Sequence, residues 1–277
     1  KTLNIDIKIN SDAGLFLKNI NNILGGVNTD FSKWLNFCKK LEKKYPLVLK
    51  DWNKAKSLVN SYNFIDILSE KLKGDDVIIT DMGVAFTGTH QTFRVKEGQR
   101  FYTNSGFASM GWGLPAAIGA CFGNDNKRII CIAGEGGFQM TSQELATVMH
   151  YKLPIKIFIY NNGGYLTIKQ TQEINFNGRL MGSNEETGLS FPKYKELGSA
   201  YNIKSIQIKN QVNLSAKIDE ILEYNGPVLC ELIMDCNQPN IPKSAPKKLS
   251  DGSVVRTNFE DLFPFLSEEE LKSNILP

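Results

Sequence analysis

No run of the 277 residues approaches the ~20 apolar side chains that a membrane-spanning helix needs, and the opening residues do not read as a signal peptide. No two cysteines stand as C-x-x-C. Cys38, Cys121, Cys131, Cys230 and Cys236 are odd in number and mostly lie in apolar runs, which disfavours a metal knuckle or disulfide framework and favours buried free thiols in a reducing compartment. A marked excess of either charge is lacking as well. The formal net charge is +3, and the lysines are scattered rather than striped among aromatics, so the footprint of a nucleic-acid binder is missing. The expectation is a soluble, cytoplasmic protein with neither membrane nor nucleic acid as partner. The sequence also starts without methionine, and TLNIDIKI reads as a strand entered abruptly, which suggests that a longer polypeptide has been cut.

What is present is an ordinary globular composition, 42% hydrophobic and 22% charged, enough for a sizeable core. SDAGLFLKNINNIL reads as a helix. FSKWLNFCKKLEKKYP sets Phe31, Trp34, Leu35, Cys38 and Leu41 at helical spacing opposite lysines, so it is expected to be an amphipathic connector packing on a core and ending at Pro46. From Ser61, strands and helices alternate. NFIDILSEKL, GLPAAIGACFG, TSQELATVMHY, KYKELGSAYN and VNLSAKIDEILEY read as helices; DVIIT (76–80), RIICIA (128–133), IKIFIY (155–160), KSIQI and GPVLCELIMD read as strands. Short β-rich apolar runs between helices predict an α/β fold, a doubly wound parallel sheet with helices on both faces. The residues from 237 on, rich in proline and lysine, are expected to form a loop-like arm with one short helix rather than sheet.

The stretch Gly-Glu-Gly-Gly-Phe-Gln-Met, residues 134 to 140, places a carboxylate between glycines at the mouth of a helix. A helix N-terminus welcomes phosphate, and a bare carboxylate there would repel it. The conflict vanishes if Glu135 holds a hard cation that takes phosphate oxygens as well. Open α/β sheets bind ligands beyond the carboxyl ends of their strands, where DMGVAF, GEGGFQM and NNGGYLTIKQTQ all emerge. Between Gly136 and Asn161 lie 24 residues, one helix and one strand, the βαβ spacing that brings successive strand ends together. A dinucleotide-binding module would show G-x-G-x-x-G after its first strand; this chain has DMGVAFTG.

The pattern G-E-G, 24 residues, N-N, together with QELATVMHYKLPIKIFIYNN and SGFASMGWGLPAAIGA, resembles the C-terminal, diphosphate-binding domain of thiamine-diphosphate-dependent enzymes, in particular the acetolactate synthase-like branch. The resemblance covers residues 61 to 277. It implies magnesium held by Glu135, by the Asn162 amide oxygen and by the Gly164 carbonyl, with Gly134, Gly136 and Gly137 around the cofactor's phosphates. Met110 would wedge beneath the cofactor, and the backbone of Ala108 would address its pyrimidine. Gly83 would lie where a loop closes over the phosphates. Tyr165 and Leu166 would line the site, with Gln170 and Gln172 as further candidates; His90 and His150 match no motif and read as structural or surface residues.

The family's motif carries aspartate where this chain has Glu135, so one extra methylene must be absorbed. The resemblance further implies decarboxylation or carboligation of 2-oxo acids. It puts the proton-relay glutamate in an N-terminal domain outside this chain, so no catalytic side chain is expected here. A homodimer or homotetramer sharing active sites between subunits is expected. By the same resemblance residues 1–28 are the tail of a middle domain, 29–60 a helical connector, 61–236 the cofactor domain and 237–277 an arm that folds over the site as a lid. The alternative is a noncatalytic cofactor- or nucleotide-binding module.

Overall fold

A computed structural model describes residues 5–27, 29–54, 56–249, 251–257 and 259–274. The chain divides into two units, Lys1–Pro46 and Leu47–Pro277. The first holds helices α1 (Ala13–Leu24), capped by the Asp12 carboxylate, and α2 (Ser32–Lys44). The expected opening strand is absent over residues 5–9, while residues 2–4 lie outside the described residues. Neither helix buries a residue, and Phe31, Trp34 and Leu35 are each more than half exposed. Within its own unit the α2 stripe is thus left without a buried residue.

In the second unit the Asn60 side chain accepts from the N–H groups of Tyr62 and Asn63 and starts α3 (Ser61–Lys71). There follow β1 (Val77–Thr80), α4 (Val84–Thr92), β2 (Arg100–Thr103), α5 (Gly113–Phe122) and β3 (Ile129–Gly134). Next come α6 (Glu135–Met140), α7 (Leu145–Tyr151), β4 (Ile155–Asn161), α8 (Leu166–Asn175) and α9 (Tyr194–Ala200). The series continues through β5 (Lys204–Ile208), α10 (Leu214–Glu223) and β6 (Val228–Ile233). β1 to β6 form one parallel sheet in the order β2-β1-β3-β4-β6-β5.

The runs in β1, β3, β4 and β6 are apolar on both faces because both faces are covered. On one, Ile78, Ile130, Ile132, Phe158 and Leu232 pack against α3, α4 and α10; on the other, Ile79, Cys131, Ala133, Ile157 and Ile159 pack against α5, α7 and α9. After β1 the chain moves outward to β2, then returns across β1 to β3, so the strand order reverses between β1 and β3. The carboxyl ends there open a crevice.

Three features depart from the sequence reading. The helix expected from Thr141 begins earlier, as α6 at Glu135, and breaks at Thr141 before a 3₁₀ turn (Ser142–Glu144) leads into α7. The segment after Gly83 is not a closing loop but α4, with Gly83 as its cap. The arm is not free of sheet: β7 (Pro246–Lys248) and β8 (Val254–Arg256) pair antiparallel before the short α11 (Glu268–Ser273). Among the described residues no helix is long and apolar enough to cross a membrane.

Candidate functional site

The crevice at the β1/β3 reversal is a pocket of about 340 Å³. It gathers Gly83, Ala108, Met110, Gly134, Glu135, Gly136, Gly137, Asn162, Gly164, Tyr165 and Leu166, all expected from the sequence, but not the two further candidates. Hollows of about 450 Å³ beside β2 and α5, and about 480 Å³ at the ends of β4, β5 and β6, contain none of them. Gln170 and Gln172 stay outside the pocket. Gln172 exchanges hydrogen bonds with the Met181 backbone, and Gln170 donates to the Gln238 carbonyl. His90 and His150 are exposed.

Glu135 is the first residue of α6 and only 1% exposed. Its Oε1 accepts from the backbone N–H groups of Asn162 and Gly164, each at 2.9 Å, so the longer side chain is received by the turn after β4. Burial pushes its carboxyl up to about 7, against the opposing pull of the Gly164 and Asn162 N–H groups. The Asn162 amide sets one terminal atom 3.2 Å from Glu135 Oε1 and 2.8 Å from the Gly164 carbonyl oxygen. That atom is the amide nitrogen, which donates to both oxygens and ties the Glu135 carboxylate to the turn after β4.

A cation bound here would need that amide turned over, so that its oxygen joins those of Glu135 and Gly164. The donor set is one carboxylate and two neutral oxygens, and among the described residues no cluster of three His, Cys, Asp or Glu side chains could hold a metal elsewhere. A divalent ion on Glu135, Asn162 and Gly164 would keep a net positive charge and so retain affinity for phosphate oxygens. Gly136 and Gly137, in the first turn of α6, lie beside it.

Asp81, missed in the sequence, organises the opposite wall. It follows β1, is 1% exposed, and accepts from Met82 N–H at 2.8 Å and Gly111 N–H at 3.0 Å. Burial raises its pKa while these N–H groups lower it. The carboxylate thus ties the loop carrying Met110 to the end of β1, and the Met110 Cε lies against Gly136. A side chain at position 137 would collide with the Asp81 carboxylate, which explains that glycine. The sequence signal was one acidic residue ending an apolar strand. Its partners stand 30 residues away, which no local pattern reveals.

Residues 81–232 match the family model described as the thiamine pyrophosphate enzyme, C-terminal TPP binding domain. The chain is 35% identical over 215 residues to the acetolactate synthase large subunit of Cyanidium caldarium, covering 78% of this chain and 36% of that protein. Against the acetolactate synthase large subunit of Lactococcus lactis subsp. lactis (strain IL1403) identity is 31% over 261 residues, 94% of this chain and 44% of the relative. The chloroplastic acetolactate synthase 2 of Zea mays is 27% identical over 244 residues, 85% of this chain and 38% of its own length. The chain thus spans about two fifths of the length of these curated relatives.

Proposed function

This chain belongs to the thiamine pyrophosphate enzymes, through their C-terminal TPP binding domain, and from that premise we propose that its pocket holds thiamine diphosphate on magnesium and that the protein acts on 2-oxo acids. The reaction is decarboxylation, carboligation or both, in the manner of acetolactate synthase. When bound, the cofactor supplies a nucleophilic carbon that adds to the keto carbon of the substrate and lets carbon dioxide leave. The observation that carries the reading is the grouping of the Glu135 carboxylate, the Asn162 amide and the Gly164 carbonyl within hydrogen-bond distance of one another beside the glycine-rich start of α6.

Each residue of the chain then has a task. Glu135, Asn162 and Gly164 hold the cation; the first-turn N–H groups of Gly136 and Gly137 meet phosphate oxygens. Met110, held through Asp81, supports the rings from below, with the Ala108 backbone addressing the pyrimidine. Gly83, Gly134, Tyr165 and Leu166 complete the wall and exclude water. The proton-relay glutamate comes from a separate N-terminal domain across a homodimer or homotetramer interface. We assign residues 1–28 to the tail of a middle domain, 29–60 to a connector, 61–236 to the cofactor domain and 237–277 to a lid-like arm. The free, buried Cys121, Cys131 and Cys230 suit a reducing compartment, and the cytoplasm is the proposed location.

Isothermal titration with thiamine diphosphate tests the assignment. Binding is expected with magnesium, and is expected to be lost with chelator and in a folded Glu135→Ala variant. Binding indifferent to both chelator and substitution would overturn it.

A further inference from the structure

Two of the three oxygens of the cation site, those of Asn162 and Gly164, ride on one short turn after β4. What holds that turn lies behind it, away from the pocket. Asn161, the last residue of β4, accepts from the Gly163 N–H through Oδ1 at 3.1 Å and donates from Nδ2 to Glu231 Oε1 at 2.6 Å. Glu231 stands within the apolar β6 and is 6% exposed; its Oε2 accepts from Gln207 Nε2 at 2.7 Å. Gln207 is its direct partner in the β5–β6 register. None of the three lines the cofactor pocket.

Glu231, Asn161 and Gln207 line the separate hollow at the ends of β4, β5 and β6, so the carboxylate is little exposed but sits at the edge of solvent, where pairing with side-chain amides gains little net stability. What the carboxylate does supply is direction. Ionised, it can only accept, so it compels Asn161 to turn Nδ2 towards it and Oδ1 towards Gly163. Gln207, donating from the far side, fixes the carboxylate in turn. The geometry points to Glu231 as a positioning residue for the cation site: through Asn161 it sets the turn that presents the Asn162 and Gly164 oxygens. The inference rests on the pocket being a magnesium-dependent cofactor site.

The test measures the magnesium concentration that half-saturates thiamine diphosphate binding in the full chain, alongside the unfolding temperature. Glu231→Gln removes the fixed polarity, since an amide can meet Asn161 with either end, and Asn161→Ala cuts the same connection one link later. Each is expected to weaken magnesium about 10–100-fold, the usual cost of losing a residue that orients a metal ligand, with an unfolding temperature near that of the wild type. The double variant Glu231→Gln/Gln207→Glu is expected to restore affinity. There the new amide accepts from Asn161 and donates to the carboxylate now at position 207, so polarity is moved but every bond is kept.

A folded Glu231→Gln or Asn161→Ala that binds magnesium as the wild type does would overturn the proposal, as would a loss that the double variant fails to restore. Should Glu231→Gln not fold, Asn161→Ala decides. Absence of magnesium-dependent binding in the wild type would instead overturn the cofactor reading itself.

Discussion

Gly164 is where backbone geometry and ligand chemistry meet. Its N–H donates to Glu135, it bridges antiparallel to Asn184, and the next N–H, of Tyr165, donates to the Ser183 carbonyl at 2.9 Å. A Cβ at position 164 would run into that same Ser183 carbonyl, a backbone atom that cannot move aside without breaking the bridge. Gly163 is different: it is exposed, has φ +76, and a Cβ there would meet nothing within 4 Å. Gly164→Ala is therefore expected to cost about 1–3 kcal/mol in urea unfolding, the range for forced overpacking, and to weaken magnesium-dependent cofactor binding at least tenfold. Gly163→Ala should show only the strain of its left-handed backbone, with much the smaller loss of binding. Equal losses from the two would mean that the close approach to Ser183 is not what places the Gly164 carbonyl. At this scale the sequence revealed residues that sit in a motif with fixed spacing, namely Glu135, Asn162 and Gly164. It concealed Asp81 and Glu231, each a single acid in an apolar run whose link to the site, through Gly111 and Asn161, spans 30 and 70 residues.

Among the elements, the strands buried on both faces were the plainest, though the edge strand β5 and the amphipathic helices were also readable. RIICIA and IKIFIY are apolar on both faces over most of their length because helices cover both sides. The edge strand β2 alternates exposed and half-buried residues, and α4 is a run of small and polar residues, VAFTGTHQT, so neither stood out from a loop. Within IKIFIY lies a residue that breaks the pattern. Lys156 is 1% exposed, and its Nζ donates to the carbonyls of Tyr224 and Gly226 in the connection from α10 to β6. Burial, with Arg128 and Lys204 nearby, lowers its pKa from 10.5 to about 8. Since the folded value is below the unfolded one, both states are protonated below about 8 and the full penalty for the buried charge is present. Between about 8 and 10.5 the unfolded chain holds a proton that the folded chain lacks, so this group's contribution to stability rises with pH. Buried thiols such as Cys131, with pKa raised by burial, act in the opposite sense at high pH. The comparison must therefore be a difference: unfolding free energy of wild type minus that of Lys156→Met should grow between pH 8 and 10 and be flat from 6 to 7. A flat difference throughout would show that the lysine keeps its proton on its two carbonyls.

At the scale of the whole Leu47–Pro277 unit, the pocket draws its walls from the ends of β1, β3 and β4, and these loops stand together only when the sheet is formed. A ligand that grips all three can bind the folded unit and not the unfolded chain, so binding must raise the unfolding temperature by mass action. At a cofactor concentration of 100 Kd the stabilisation is about 2.7 kcal/mol. For a unit of this size each kcal/mol moves the midpoint by about 2–4 °C. Thiamine diphosphate with magnesium should therefore raise the midpoint by roughly 5–10 °C. Magnesium alone should do much less, because one carboxylate and two neutral oxygens leave most of its shell to water. The cofactor with chelator should also do little, since the buried carboxyl of Glu135 faces its phosphates without a cation between them. A shift that survives chelator would mean that the start of α6 holds the diphosphate unaided, and the oxygens of Glu135, Asn162 and Gly164 would then need another purpose.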